Sequence, residues 1–283
     1  MRKTIRKKSL LYKSKVEYGS WTINHVEGCS HGCKFPCYAF MMAKRFGKVK
    51  TYEEWREPKI VENSIELLKQ EVKRYKGKID FVHLSFTTDP FMYDFERKAL
   101  LPEVKELTLK IIKFLNENNI RVTTLTKGYY PDEILTGDFL PENEHGITLV
   151  SLNPKFKEKF EPFSAPYEKR ISSLERLALK GLNTWVSIEP FPTPNLDPTA
   201  YDIEKLLDRI SFVKKIVFGK LNYNVKSNKF KNNKSFYEKV ARKIIDFAES
   251  HNIDYHIKFG TPGSIKETVK IFTNKKVGSF SRL

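Results

Sequence analysis

The sequence predicts an α/β fold, a partial (β/α)6-type TIM barrel of parallel strands. Three observations predict it. Strand-like and helix-like segments alternate along 283 residues in six or seven β/α units; that order implies a parallel sheet with right-handed crossovers. Runs such as Ile147-Thr148-Leu149-Val150 are almost continuously apolar, as strands covered by helices are. The residues just past each strand are polar or chemically capable, and such folds gather function there.

Each element has its own signal. Residues 21–26 are apolar and β-branched and lead straight into a cysteine-rich loop. Residues 59–75 read as a helix, because Ile60, Ile65, Leu68 and Val72 recur near helical spacing. Residues 79–86 read as a strand. Residues 102–118 form an amphipathic helix with Val104, Leu107, Ile111 and Leu115 in one stripe. Pro102 suits its first turn and Asn118-Asn119 its end. Strands follow at 121–126 and 147–152. A helix at 167–180 is stopped by Gly181. Then come a strand at 184–188, a helix at 200–213, a short strand at 216–218, a helix at 235–250 and a last strand at 255–259. Three parts result: a basic N-terminal arm (1–18), the β/α core (19–260) and a C-terminal extension (261–283).

Composition narrows the class. With 40% hydrophobic and 13% aromatic residues, the chain can bury a sizeable core and is not globally disordered. No run of about eighteen apolar residues is present to span a membrane. Only Ser9-Leu10-Leu11-Tyr12 follows the basic start, too short for a signal-peptide core. A cytoplasmic protein with no membrane partner is expected. The formal net charge of +17 attracts polyanions and points to RNA or DNA as a partner. Charge is densest in the arm, from Arg2 to Lys15, and around Lys226, Lys229, Lys231 and Lys234. Lysine-rich surfaces are also common as plain solvated faces.

The chain has three cysteines, Cys29, Cys33 and Cys37, all within nine residues. An odd count is not a disulfide framework, and a structural zinc site wants four ligands. Three thiolates on one loop can hold three corners of a four-iron cubane and leave one iron open. A zinc site completed by His31 or His25 is the rival reading, and three unrelated thiols the plain one. The other strand ends carry Thr87, Thr88 and Asp89; Thr126 and Lys127; Ser151 and Asn153; Glu189; and Lys220 and Asn222.

These residues resemble the radical S-adenosylmethionine (SAM) superfamily. The cysteine loop after the first strand, followed by Tyr38, is similar to its cluster motif, with a spacing of three and three instead of the usual three and two. More narrowly, the chain resembles the spore-photoproduct-lyase-like branch and related phage-borne proteins. The likeness covers Asn24 to Tyr38, Leu84 to Phe91, Val122 to Lys127, Val150 to Asn153, Glu161-Pro162, Arg170 and Val186 to Pro190.

The resemblance implies that Cys29, Cys33 and Cys37 ligate a [4Fe–4S] cluster whose fourth iron is chelated by SAM. One-electron reduction, from an external flavodoxin- or ferredoxin-type donor, would cleave SAM to a 5′-deoxyadenosyl radical that abstracts hydrogen. Thr87, Thr88 and Asp89 fall where the family holds the SAM amino group, and a carboxylate suits an ammonium. Ser151 and Asn153 fall where ribose hydroxyls bind. Arg170 would fork onto the SAM carboxylate, with Lys127 acting similarly or facing the substrate. Glu189 is a further candidate for ribose or substrate contact, and Tyr38 for the cofactor.

No thiol remains for a second cluster, a methyl-carrying cysteine or a cysteine hydrogen donor. A protein-borne hydrogen donor would have to be a tyrosine such as Tyr93 or Tyr223. The lead expectation is a radical SAM enzyme on a large, anionic substrate, nucleic acid in the first place. A peptide or small-metabolite substrate, and a zinc-stabilised basic nucleic-acid-binding module, are the alternatives.

Overall fold

A computed structural model of the chain describes residues 3–136 and 138–264. Of the expected C-terminal extension, only 261–264 fall among the described residues. Thirteen strands run in chain order as β1 (Thr4–Ile5), β2 (Leu11–Lys13), β3 (Trp21–Ile23), β4 (Val26–Glu27), β5 (Lys59–Val61), β6 (Phe81–Leu84), β7 (Tyr93–Asp94), β8 (Ala99–Leu100), β9 (Arg121–Thr126), β10 (Glu144–Thr148), β11 (Asn183–Phe191), β12 (Lys215–Lys220) and β13 (Asp254–Ile257). The helices are α1 (Tyr38–Arg45), α2 (Tyr52–Trp55), α3 (Ser64–Arg74), α4 (Pro102–Glu117), α5 (Pro154–Phe160), α6 (Tyr167–Leu179), α7 (Ile203–Arg209), α8 (Val225–Asn228) and α9 (Asn233–Ser250).

Eight strands form one sheet in the order β13-β12-β11-β10-β9-β6-β3-β2. All neighbours are parallel except β2, which runs antiparallel to β3 at the edge. This is the partial barrel the alternation predicts. Its outer face is the main core, where Ile23, Val82, Val122, Ile147, Val186 and Ile216 meet the helices. Each is fully buried, and truncating one such side chain to Ala typically costs about 2–5 kcal/mol.

The lumen is filled as well. Residues 14–20 pass from β2 to β3, and Tyr18 sits edge-on to His83, Phe86, Trp185 and His256 at ring distances of 5.9–6.3 Å. The His83 and Phe86 rings lie flat on each other at 3.8 Å. Glu17 reaches the far edge of the sheet: it accepts from His256 Nε2 at 2.8 Å and from the Phe259 amide at 2.9 Å. This segment joins the two edges of an otherwise open barrel.

Several sequence expectations need correction. Of the basic arm expected over 1–18, the described residues 3–18 are not a separate arm. β1 pairs with β5, β2 pairs with β3, and Leu10 and Leu11 are buried with their amides donating to Glu71. Three of its cations are paired locally: Lys3 meets Glu57, Arg6 meets Glu62 and Glu66, and Lys7 meets Glu27. Residues 59–61, expected to open a helix, are β5, held between β1 and β4. β10 starts at Glu144, three residues early, because Gly146 leaves room for the Trp185 ring; a Cβ there would lie 2.3 Å from it. After Leu149 the chain leaves the sheet and forms α5, which the sequence reading missed.

Candidate active site

The cysteine loop leaves β4 at the barrel mouth. Gly28 (φ +87°) and Gly32 (φ +55°) bend it, and each is also sterically required. A Cβ on Gly28 would lie 2.7 Å from the Trp55 carbonyl, and one on Gly32 2.7 Å from the Tyr52 hydroxyl. The loop is tied down by backbone bonds from the Cys29 amide to Trp55 and from the Lys34 amide to Phe160, both 2.9 Å. Tyr52 donates to the Gly32 carbonyl. Cys37 is the N-cap of α1, and the amides of Ala39 and Phe40 turn toward its sulfur. All three cysteines are free and partly exposed. Burial pushes the Cys33 thiol up to about 12, against the pull of the nearby Lys127 cation.

His31, inside the loop, has both ring nitrogens engaged. Nε2 accepts from the Tyr93 amide at 2.8 Å, so the proton sits on Nδ1, 3.4 Å from Asp89 Oδ2. Asp89 is buried and accepts three more bonds: Thr126 Oγ1 (2.6 Å) and the Phe91 amide (2.9 Å) at Oδ1, and the Lys127 amide (2.7 Å) at Oδ2. Burial alone would raise its carboxyl, but His31, Thr126 and the Lys127 amide outweigh that and hold it below the usual range. Asp89, expected at the SAM ammonium, instead fastens the cysteine loop to the end of β9.

Arg170 is likewise redirected. It is fully buried and donates to the carbonyls of Ala165 (3.0 Å) and Thr148 (2.9 Å) and to Glu161 Oε2 (2.7 Å). It braces the turn at 161–165 and is not open to a SAM carboxylate. The other Glu161 oxygen lies 3.4 Å from Lys127 Nζ. Lys127 stands 5.5 Å over the Phe35 ring, beside the cysteines, and keeps donors free.

Thr87 is exposed, while Thr88 Oγ1 is buried without a hydrogen-bond partner. Thr88 lines a cavity of about 320 Å³ with Asn24, Gly28 and Ala39. Ser151 and Asn153 both turn to a residue the sequence reading missed, the buried Asp197. Ser151 Oγ donates to Oδ2 at 2.5 Å and Asn153 Nδ2 to Oδ1 at 3.0 Å, in the wall of a 510 Å³ cavity. Glu189 accepts from Lys258 Nζ at 2.8 Å, next to Gly219, whose missing side chain makes room for it. Of the two tyrosines, Tyr93 is buried; its ring meets Tyr129 at 6.2 Å and Lys169 at 5.7 Å, and its backbone holds Ser30 and His31. Tyr223 is exposed, its ring 6.1 Å from that of Tyr38.

Comparison with known proteins decides the family. The family model described as the Radical SAM superfamily matches residues 23–210. The chain belongs to the radical SAM superfamily. An uncharacterised protein of Methanocaldococcus jannaschii is 29% identical over 208 residues, covering 72% of this chain and 70% of that one. An uncharacterised protein of Acidianus two-tailed virus is 27% identical over 205 residues, covering 68% of this chain and 63% of its own length. In fold, the chain is similar to a spore photoproduct lyase variant with bound SAM and dinucleoside spore photoproduct. The TM-score is 0.64 at 12% identity, over 91% of this chain and 81% of that one. A second variant of that lyase gives 0.62 at 13% identity, over 89% and 80%.

A radical SAM enzyme takes a [4Fe–4S] cluster and SAM as cofactors, and the residues here fit them. Three free thiols on one loop supply three ligands, leaving one iron of a cubane open. The zinc alternative lacks a fourth ligand. His31 is engaged as above, and His25 is fully buried between Thr108 Oγ1 (2.8 Å) and Ser85 Oγ (3.4 Å). Among the described residues, no three His, Cys, Asp or Glu side chains are grouped to hold one metal ion. The orphaned Thr88 hydroxyl is a polar group awaiting a partner. No helix among the described residues is long and apolar enough to cross a membrane.

Proposed function

We propose that this radical SAM enzyme acts on nucleic acid presented at the rim of the barrel. When bound, the cluster and SAM together supply a 5′-deoxyadenosyl radical for hydrogen abstraction, and the protein's task is placement and shielding. Lys127 is the residue to hold the SAM carboxylate and Thr88 to take a polar group. An external one-electron donor of flavodoxin or ferredoxin type reduces the cluster.

One observation carries the substrate reading. The loop after β12 is fastened to the cysteine loop by Asn224 Nδ2, which donates to the Phe35 carbonyl at 3.3 Å. It leads into Lys226, Lys229 and Lys231, all exposed and without an ion pair among the described residues; Lys234 meets Glu238 only at 3.8 Å. Positive charge is thus free beside the cysteine loop, whereas Lys3, Arg6 and Lys7 in the N-terminal stretch are paired with glutamates. The lumen below is packed with Tyr18, His83, Phe86 and Trp185, which favours a group projecting from a large substrate over a metabolite enclosed in the barrel.

Salt dependence tests this. Changing Lys226, Lys229, Lys231 and Lys234 to Gln should weaken nucleic-acid binding and flatten the log–log salt slope by up to about four contacts. SAM cleavage without substrate should not change. Nucleic acid bound no better than an uncharged polymer by the parent protein would move the assignment to a peptide or metabolite.

A further inference from the structure

We infer that Tyr38 and Tyr223 form a stacking platform for an unpaired base, so that the substrate is engaged as single-stranded nucleic acid. The inference rests on the nucleic-acid reading above and adds the state of the strand.

The two rings come from opposite sides of the mouth. Tyr38 opens α1 directly after Cys37, and Tyr223 lies in the loop after β12. The rings are near parallel, 24° apart, with centroids at 6.1 Å. Yet Tyr38 is 54% exposed and Tyr223 61% exposed. A tyrosine pair that served packing alone would be covered. Here both rings stay more than half exposed beside the cysteine loop.

Tyr223 is also held there at a cost. Its φ is +62°, a region a bulky side chain rarely occupies. The surroundings impose it: Leu221 is buried against Phe35, Phe156 and Phe160 on one side, and Asn224 is bonded to the Phe35 carbonyl on the other. Strain persisting at an exposed aromatic beside a reactive centre points to use.

Charge names the ligand. The segments that carry the rings, 28–52 and 221–237, hold nine Lys or Arg residues and no Asp or Glu. Glu27 lies 3.7 Å from Lys48 and Glu238 3.8 Å from Lys234. The other cations of these segments have no ion pair among the described residues. Aromatic faces beside such unpaired cations are what an unpaired base and its phosphates recognise. A duplex buries its base faces, so it offers the platform nothing but phosphate. Stacking and phosphate contact serve RNA and DNA alike.

The test uses the full-length, cluster-loaded protein and fluorescence anisotropy. The probes are 12-nucleotide RNA, the same DNA, an abasic DNA strand of equal length and a DNA duplex. The parent should prefer the strands that carry bases. Tyr223→Ala should lose about ten-fold on those strands and nothing on the abasic strand, while Tyr223→Phe, which keeps the ring, should bind like the parent. Equal iron content and melting temperature establish that the variants are folded. Equal parental affinity for abasic and base-bearing strands, or an unaffected Tyr223→Ala, overturns the platform and leaves the electrostatic reading standing. Failure of every nucleic acid to bind overturns both. The RNA and DNA arms tell which strand is preferred.

Discussion

His31 and Asp89 face each other across 3.4 Å, with the Tyr93 amide on the opposite nitrogen of the imidazole at 2.8 Å. A residue inside the cysteine loop is thereby hung from the end of the second parallel strand, β6, and Asp89 in turn grips the end of the third, β9, through Thr126 and Lys127. The geometry of the loop depends on buried polar bonds as much as on its cysteines.

Asp89→Ala should therefore act on folding and iron loading together. It strands the Thr126 hydroxyl and the amides of Phe91 and Lys127, at a cost on the order of 3 kcal/mol. Iron per chain and urea midpoint should fall in parallel. Weakened SAM binding at full iron content and unchanged stability would instead return Asp89 to the role of a cofactor ligand.

Arg170 and Glu161 form a fully buried ion pair at 2.7 Å. Removing one partner leaves an uncompensated charge, so Arg170→Ala should destabilise by about 3–5 kcal/mol. The double change Arg170→Met with Glu161→Gln should recover part of that. In a denaturant-based double-mutant cycle, a double variant whose loss equals the sum of the two single losses would mean that the pair is not coupled.

What was legible in the sequence was whatever a local pattern decides. The alternation of strands and helices gave the sheet order, and the spacing of three thiols gave the cluster loop. Asp89 is legible as a polar residue at a strand end and Arg170 through the resemblance, but the bonds that each makes inside the protein are not. Their partners, His31 and Glu161, lie 58 and nine residues away along the chain, and only folding brings them together. Asp197 carried no signal, because Asp before Pro reads as a turn. Nor did Tyr18, because no periodicity marks a side chain that fills a barrel from a connecting loop.

Acid should destabilise the protein early. Burial pushes His25 and His83 down to about 3, helped by Lys7 and Lys215 respectively, and burial pushes His145 down to about 4. Unfolded histidine titrates near 6.5, so below that pH the unfolded chain binds protons that the folded one refuses. Stability is full above that value and falls with pH until the folded histidines charge, by about 1.4 kcal/mol per pH unit for each. Asp89 and Glu161, held below the usual range, add their loss only under more acidic conditions, through their lowered values. Urea midpoints across this range check the slope; a flat profile between pH 6 and 5 contradicts it.

Lys127→Ala should weaken SAM binding about ten-fold, the loss of one charge-assisted partner, at unchanged iron content. Glu161 keeps its Arg170 partner, so the fold survives. Calorimetric titration of SAM into the cluster-loaded variant reads the effect, and parental affinity would free Lys127 for a role at the substrate.

The most direct measurement is 5′-deoxyadenosine formed by anaerobically reconstituted protein given SAM and dithionite. The three-thiol loop predicts about four irons per chain and formation of the nucleoside, both lost in Cys33→Ala. Protein loaded with four irons that forms no 5′-deoxyadenosine would contradict the account.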